Sequence, residues 1–277
     1  GGLIGSGNSY NTGNVSGAAG TGGLVGSMTT GLILNSFTSG ISIGAAGTGG
    51  LVGNMSTGSV INSYATGNVT GAAGAGGLVG TSTGLISGSN ATGFVDGKAG
   101  TGGLVGTTTG NTVNSYATGN VTGDAGTGGL IGTSTGAVTN TYAGGNVIGA
   151  ASTGGVLGSS TGVLTNNFWD IANSAYGVGS TTPAGTYSVT RTELIASGFP
   201  TTTANSGSGS TWDFNATWLL VAGSSPILRG SLPKLVVSAL NKSSTYTGVA
   251  GYTLVGSGLE YSLDLNASEK AYLNGLG

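Results

Sequence analysis

The stretch "NSYATGNVTGAAGAGGLVG", residues 62–80, returns almost unchanged as "NSYATGNVTGDAGTGGLIG", residues 114–132. An active site is not written twice, so the recurrence points to architecture. Searching outward for "GG", an aliphatic pair and "G" places the leading aliphatic residue at Leu3, Leu24, Leu51, Leu78, Leu104, Leu130 and Val156. The intervals are 21, 27, 27, 26, 26 and 26 residues. A fixed period of this length is the signature of a solenoid. The repeat is made of Gly, Thr, Ser, Val and Asn, residues that disfavour helix, which argues against leucine-rich and helical arrays. Glycine does not recur every third residue, which excludes collagen. The expected fold is therefore all-β: a β-solenoid of about seven coils, one per repeat. A lone coil cannot bury its apolar side chains. Stacked coils pair strand on strand, and seven of them make a rod of roughly 34 Å. Glycine is expected at corners needing positive φ and where a side chain would strike the next coil.

Stacking turns repeated positions into columns. Tyr10, Phe37, Tyr64, Tyr116, Tyr142 and Phe168 form an aromatic column interrupted by Asn90. Asn35, Asn62, Asn114, Asn140 and Asn166 form a second. Strict alternation along the strand puts both columns on the face that carries Ile33, Val60, Ile86, Thr112, Val138 and Leu164. The neighbouring column, Asn11, Thr38, Ala65, Ala91, Ala117, Ala143 and Trp169, tolerates Asn and Trp. It is accordingly expected outside, with the aromatics and an amide ladder inside. A bulge at the Asn would reverse that assignment.

"GGLVG" followed by "INSYATGNV" resembles the GLUG repeat of large secreted bacterial surface proteins, among them haemagglutinin-like and two-partner-secreted adhesins. The resemblance runs from about Gly1 to Asp170. "WDFNATWLLVAGSSPILRG", residues 212–230, resembles the segment that closes such arrays, and "STYTGVAGYTL" the small β modules that follow them. The resemblance implies an extracellular β-helical rod with no shared catalytic residues. Only Ser6 and Gly7 separate "GGLIG" from "NSYNTG", so the first coil reads as incomplete.

Composition divides the chain into three parts: solenoid repeats at 1–169, a closing segment at 170–232, and a short β-rich linker or the start of a further module at 233–277. All four prolines and all but three of the charged residues lie from Asp170 on. The closing segment reads as loops around a short helix near Arg191–Ser197, followed by bulky Trp212, Phe214 and Trp218 that cover the open end of the last coil. From Lys234 the pattern alternates like antiparallel strands. The chain opens in mid-repeat with no initiator Met or signal segment, which reads as a processed product or a fragment.

Chemistry is scarce. Among 277 residues there is no His and no Cys, with six Lys or Arg and eight Asp or Glu. This removes His-based triads, thiol nucleophiles and the usual zinc sites. A net charge of −2 offers no basic surface for nucleic acid. The longest apolar runs, such as "WLLVA", are far below a membrane span. Asp96, Lys98 and Asp124 are the charges of the repeat region, and Asp96 and Asp124 read as solvated turn residues rather than as the carboxylate pair of a polysaccharide hydrolase. The aspartate of calcium-binding "GGxGxD" turns is missing. "GTGG" has no following helix and Lys to make a phosphate loop. The N-x-S/T triplets at Asn14, Asn68 and Asn120 are short motifs in a chain rich in these residues.

Two threonine columns stand out: Thr30, Thr57, Thr83, Thr109, Thr135, Thr161, and Thr21, Thr48, Thr101, Thr127, Thr153 with Ala75. Regular hydroxyl rows resemble an ice-binding surface, but threonine also satisfies backbone groups at corners. The sequence thus reads as a non-enzymatic structural or adhesive segment at the bacterial cell surface, without cofactor, metal or catalytic residues. Its expected partners are further repeats of the same polypeptide or other copies head to tail, and a host or surface glycan or protein. The alternatives are a subunit of an extracellular filament, an ice- or glycan-binding solenoid and, last, a polysaccharide-active enzyme.

Overall fold

The structure is a computed structural model describing residues 9–196, 199, 212–221 and 223–232, and the backbone of Val236–Ala239 and Leu259–Ser262. The chain divides into two units, Gly1–Ser231 and Leu232–Gly277. In the second, Val236–Ala239 pairs antiparallel with Leu259–Ser262. The rest of 233–277 lies outside the described residues, as does the first motif copy around Leu3.

The first unit is a parallel β-solenoid. Each coil visits three sheets in turn. The first sheet is twelve-stranded and takes two short strands per coil, such as Leu32–Leu34 and Phe37–Thr38. In the last coils the two fuse into Val138–Ala143 and Leu164–Asp170. The second sheet stacks six two-residue strands from Val15–Ser16 to Val147–Ile148, and the third stacks six four-residue strands from Val25–Met28 to Leu157–Ser160. Coil pairs with coil in register, as in Val79↔Val105, Val105↔Ile131 and Ile131↔Leu157. The stack is about six coils deep, set by those six-stranded sheets.

The recurrent "GGLVG" is explained by this stacking. Leu78, Leu104 and Leu130, with Val79, Val105 and Ile131, are fully buried and form the core. The motif glycines let neighbouring backbones touch. A Cβ on Gly103 would collide with the carbonyl of Gly129 in the next coil and lie 2.9 Å from Ala117 Cβ. These glycines do not have positive φ. Close approach, rather than backbone conformation, is what demands them.

The aromatic and alanine columns are the reverse of the expectation from strict alternation. Ala65, Ala91, Ala117, Ala143 and Trp169 belong to the core. The aromatic column points outward, and Tyr10 at its N-terminal end is 64% exposed. The cause is the preceding Asn. Asn35, Asn62, Asn114, Asn140 and Asn166 all have φ between 48° and 54°, the left-handed region, and break the alternation. In the one coil without this Asn the position is Gly88, with φ 58°.

The kink leaves backbone amides without strand partners, and serines meet them. Ser36, Ser63, Ser89 and Ser115 are buried directly after the kink. Ser63 Oγ accepts the Ser36 amide (3.1 Å), Ser89 Oγ the Ser63 amide (3.2 Å) and Ser115 Oγ the Ser89 amide (3.2 Å). The hydroxyls of Ser36, Ser63, Ser89 and Ser115 each donate to the carbonyl two residues back. Buried polar groups are thereby paired. Asn114→Ala is expected to destabilise the protein by about 1–2 kcal/mol, the cost of a left-handed alanine, whereas Asn114→Gly stays nearer wild type. Chemical denaturation of both variants checks this, and equal losses would contradict the left-handed assignment.

Trp169 ends the alanine column from inside, where no further repeat follows to demand a small residue. Its Nε1 donates to the Ser174 carbonyl (2.9 Å). Val178 then bridges in parallel to Leu157, and Thr186–Val189 pairs in parallel with Asn167–Asp170, so this part of the closing segment covers the last coil. The helix is Arg191–Leu194, capped by a Thr190–Glu193 capping box. Ser197, the expected end of the helix, lies outside the described residues. Residues 212–231 do something the sequence did not suggest. Trp212, Trp218 and Leu228 of this stretch pack against the outward aromatic column at Tyr116, Tyr142 and Phe168.

Candidate functional site

The outer aromatic face is one of two organised surfaces. Tyr10–Phe37 and Phe37–Tyr64 stack with centroids 5.3 and 5.1 Å apart and planes within 7°, and Tyr116–Tyr142 at 4.9 Å. Trp212, Trp218, Phe199, Leu194, Val189 and Leu228 form a cluster with Tyr116, Tyr142 and Phe168. Polar contacts fix the register of the closing segment. Trp212 Nε1 donates to the Asn166 carbonyl (3.3 Å), Tyr142 Oη to the Pro226 carbonyl (2.6 Å), and Asn90 Nδ2 to Ser231 Oγ (2.7 Å). Asn90, the break in the aromatic column, is thus the polar socket for the end of that segment. The Asn ladder lies on this side of the kink rather than inside the core. Asn140 Nδ2 donates to Asn114 Oδ1 (3.3 Å), and Asn166 Nδ2 to Asn140 Oδ1 (3.2 Å). The Asn62 carboxamide sits next to Gly230.

Burial pushes the Tyr116 phenol well above its ordinary value. It does the same to Tyr142, with Tyr116 adding to the rise and Arg191 opposing it. A phenol held neutral in the fold stabilises it fully below the unfolded value of about 10, and less as pH climbs above that. The melting temperature is therefore expected to fall between about pH 9 and 11 as unfolded tyrosines ionise. Tyr142→Phe should flatten the decline, and a wild-type curve already flat over that range would contradict the burial.

The charged residues of the coils do not assemble. Asp96 is exposed on the second sheet, in register with Thr70 and Thr122. Asp124 and Lys98 are exposed at the following turn. Among the described residues no three His, Cys, Asp or Glu side chains lie close enough to hold a metal ion, and no helix is long and apolar enough to cross a membrane. The asparagines of the N-x-S/T triplets tie coils together. The Oδ1 atoms of Asn14, Asn68 and Asn120 accept the amides of Ile41, Phe94 and Asn146 in the next coil.

Neither threonine column stands quite as the sequence suggests. Thr48, Thr101 and Thr127 are fully buried, and each donates to the carbonyl three residues back, as do half-buried Thr153 and the largely buried Thr21. In the other column, backbone register aligns Thr83, Thr109, Thr135 and Thr161 with Ser56 and Thr29 rather than with Thr57 and Thr30. The 27-residue coils carry their extra residue just beyond. A column missed in the sequence lies two residues earlier, at Ser27, Asn54, Thr81, Thr107, Thr133 and Ser159, on the outward side of the third sheet. Its signal was the alternation in "TST" (81–83), "TTT" (107–109) and "TST" (133–135).

The geometry defines the class: a parallel β-solenoid repeat protein whose organised surfaces are an aromatic face and a threonine face. Comparison with protein-family models, curated proteins and solved structures gave no match.

Proposed function

We propose that this chain is an extracellular, non-catalytic structural segment of a bacterial surface adhesin, a β-solenoid that holds its shape outside the cell. The observation that supports it most is the unbroken parallel pairing of coil on coil through three sheets. A backbone so bonded presents few openings for local unfolding or proteolysis. The scarcity of Lys and Arg leaves few sites for trypsin-like enzymes. The GLUG-like motifs support the same setting. In this reading the coils join further repeats of the same polypeptide or other copies head to tail. Antibodies raised against the segment should label intact cells of the producing bacterium, and brief external proteolysis should remove the label. Labelling only after lysis would overturn the reading.

A further inference from the structure

The third sheet bears a surface that the structural role does not use. Thr81, Thr107 and Thr133 stand on its outward side, and exposed Thr83, Thr109 and Thr135 follow them in the bend directly after each strand, stacked coil on coil by backbone bonds, so that each coil presents a rank of two threonines. Ser82, Thr108 and Ser134 between them point inward and are buried. Successive ranks belong to stacked coils, ~4.8 Å apart. A shallow trough of about 300 Å³ runs over these ranks. Exposed Ala46, Ala73 and Ala99 continue the surface on one side.

The hydroxyls of this face are treated unlike the others. Buried Thr48, Thr101 and Thr127 donate to nearby carbonyls. On the outer face Thr81 Oγ1 donates to Asn54 Oδ1 (2.7 Å). The hydroxyls of Thr83, Thr107, Thr109, Thr133 and Thr135 have no hydrogen-bond partner among the described residues. The backbone-satisfying role that explains threonine at corners is therefore absent here. What remains is a lattice of hydroxyl and methyl groups, with rotamers restricted by β-branching. No charged residue stands in either column.

We propose that this face binds ice. The coil-to-coil spacing along each threonine column lies near a repeat distance of oxygen atoms on ice surfaces, so waters held by the hydroxyls can take lattice positions while the methyls fill the hollows between them. Preorganisation keeps the ordering cost of such a contact low. A neutral face fits a neutral crystal, whereas charges would bind water in shells of their own geometry. Sugar recognition is the poorer match. The threonine ranks carry no carboxylate or aromatic, and the exposed rings of the aromatic face stack on one another's faces.

The inference rests on the fold alone and is independent of the adhesin reading. The test uses the whole chain, fluorescently labelled at its N-terminus, in ice adsorption and ice-recrystallisation assays. Wild type is expected to coat a growing ice hemisphere and to halt recrystallisation. Thr107→Lys should weaken that activity roughly tenfold or more, as for a substitution at the centre of a packed contact, with the circular dichroism spectrum unchanged. Thr122→Lys, on the second sheet, should act as wild type. The proposal is overturned if wild type behaves like serum albumin, if Thr107→Lys retains full activity, or if the face binds glycans and leaves ice untouched. Should Thr107→Lys not fold, adsorption of the wild type decides by itself.

Discussion

Gly106→Ala is expected to lower stability by about 3 kcal/mol or to prevent folding, the upper range for overpacking. The new Cβ would meet the Gly74 carbonyl and lie 2.6 Å from the Gly80 carbonyl oxygen, all of it backbone in the preceding coil. Backbone locked in a parallel ladder cannot move aside without spreading the coils. Gly13→Ala makes the same chemical change at an exposed turn, where the Cβ finds only Asn11 Oδ1 at 3.4 Å. Its effect should stay within about 0.5 kcal/mol, as for ordinary surface positions. Urea titration of the two variants reads the difference, and a Gly106→Ala protein as stable as wild type would contradict the close stacking.

Tyr142→Ala is expected to destabilise by about 3 kcal/mol or more, as for large aromatic truncations. Tyr10→Ala should cost under about 0.5 kcal/mol, the surface range. Both residues belong to one outward column, so their positions in the repeat do not distinguish them. The difference is the closing segment. Tyr142 is 1% exposed beneath Trp212 and Trp218, while Tyr10 is 64% exposed and, among the described residues, stacks on Phe37 alone. Tyr142→Phe, which loses the bond to the Pro226 carbonyl and keeps the packing, should cost about 1 kcal/mol. Equal, small losses for both alanine variants would mean that residues 212–231 do not pack on this face.

The period, the parallel stacking and the need for glycine were legible because they depend on recurrence alone. The facing of the columns was not, because it depends on one dihedral angle. Period-2 alternation carried the aromatics inward, and a left-handed Asn turned them out. The clue was present: the Asn column is interrupted once, by Gly88, and Asn and Gly are the residues that most readily take this conformation. Trp169 misled for another reason. Ala65, Ala91 and Ala117 lie against the motif glycines Gly50, Gly77 and Gly103, and at the end of the stack the Trp169 ring lies over Gly155 and Gly177 in the same inward position. The threonine ranks were obscured by arithmetic, since the extra residue of the 27-residue coils shifts Thr30 and Thr57 out of the column that holds Thr83 and Thr109. The path of residues 212–231 left no periodic trace to follow.

The coil-on-coil register is most directly tested by electron–electron distance measurements between spin labels. The chain has no cysteine of its own, so each label can be placed at will. Ser16, Ile43, Thr70, Asp96, Thr122 and Ile148 occupy one register column of the second sheet. Labels at Ser16→Cys and Thr122→Cys span four steps, and labels at Ser16→Cys and Ile148→Cys span five. At one strand spacing per step the backbone separations are ~19 and ~24 Å. Two narrow distributions differing by one coil spacing are the expected result. Broad distributions, or a separation that does not grow from Thr122 to Ile148, would contradict the solenoid.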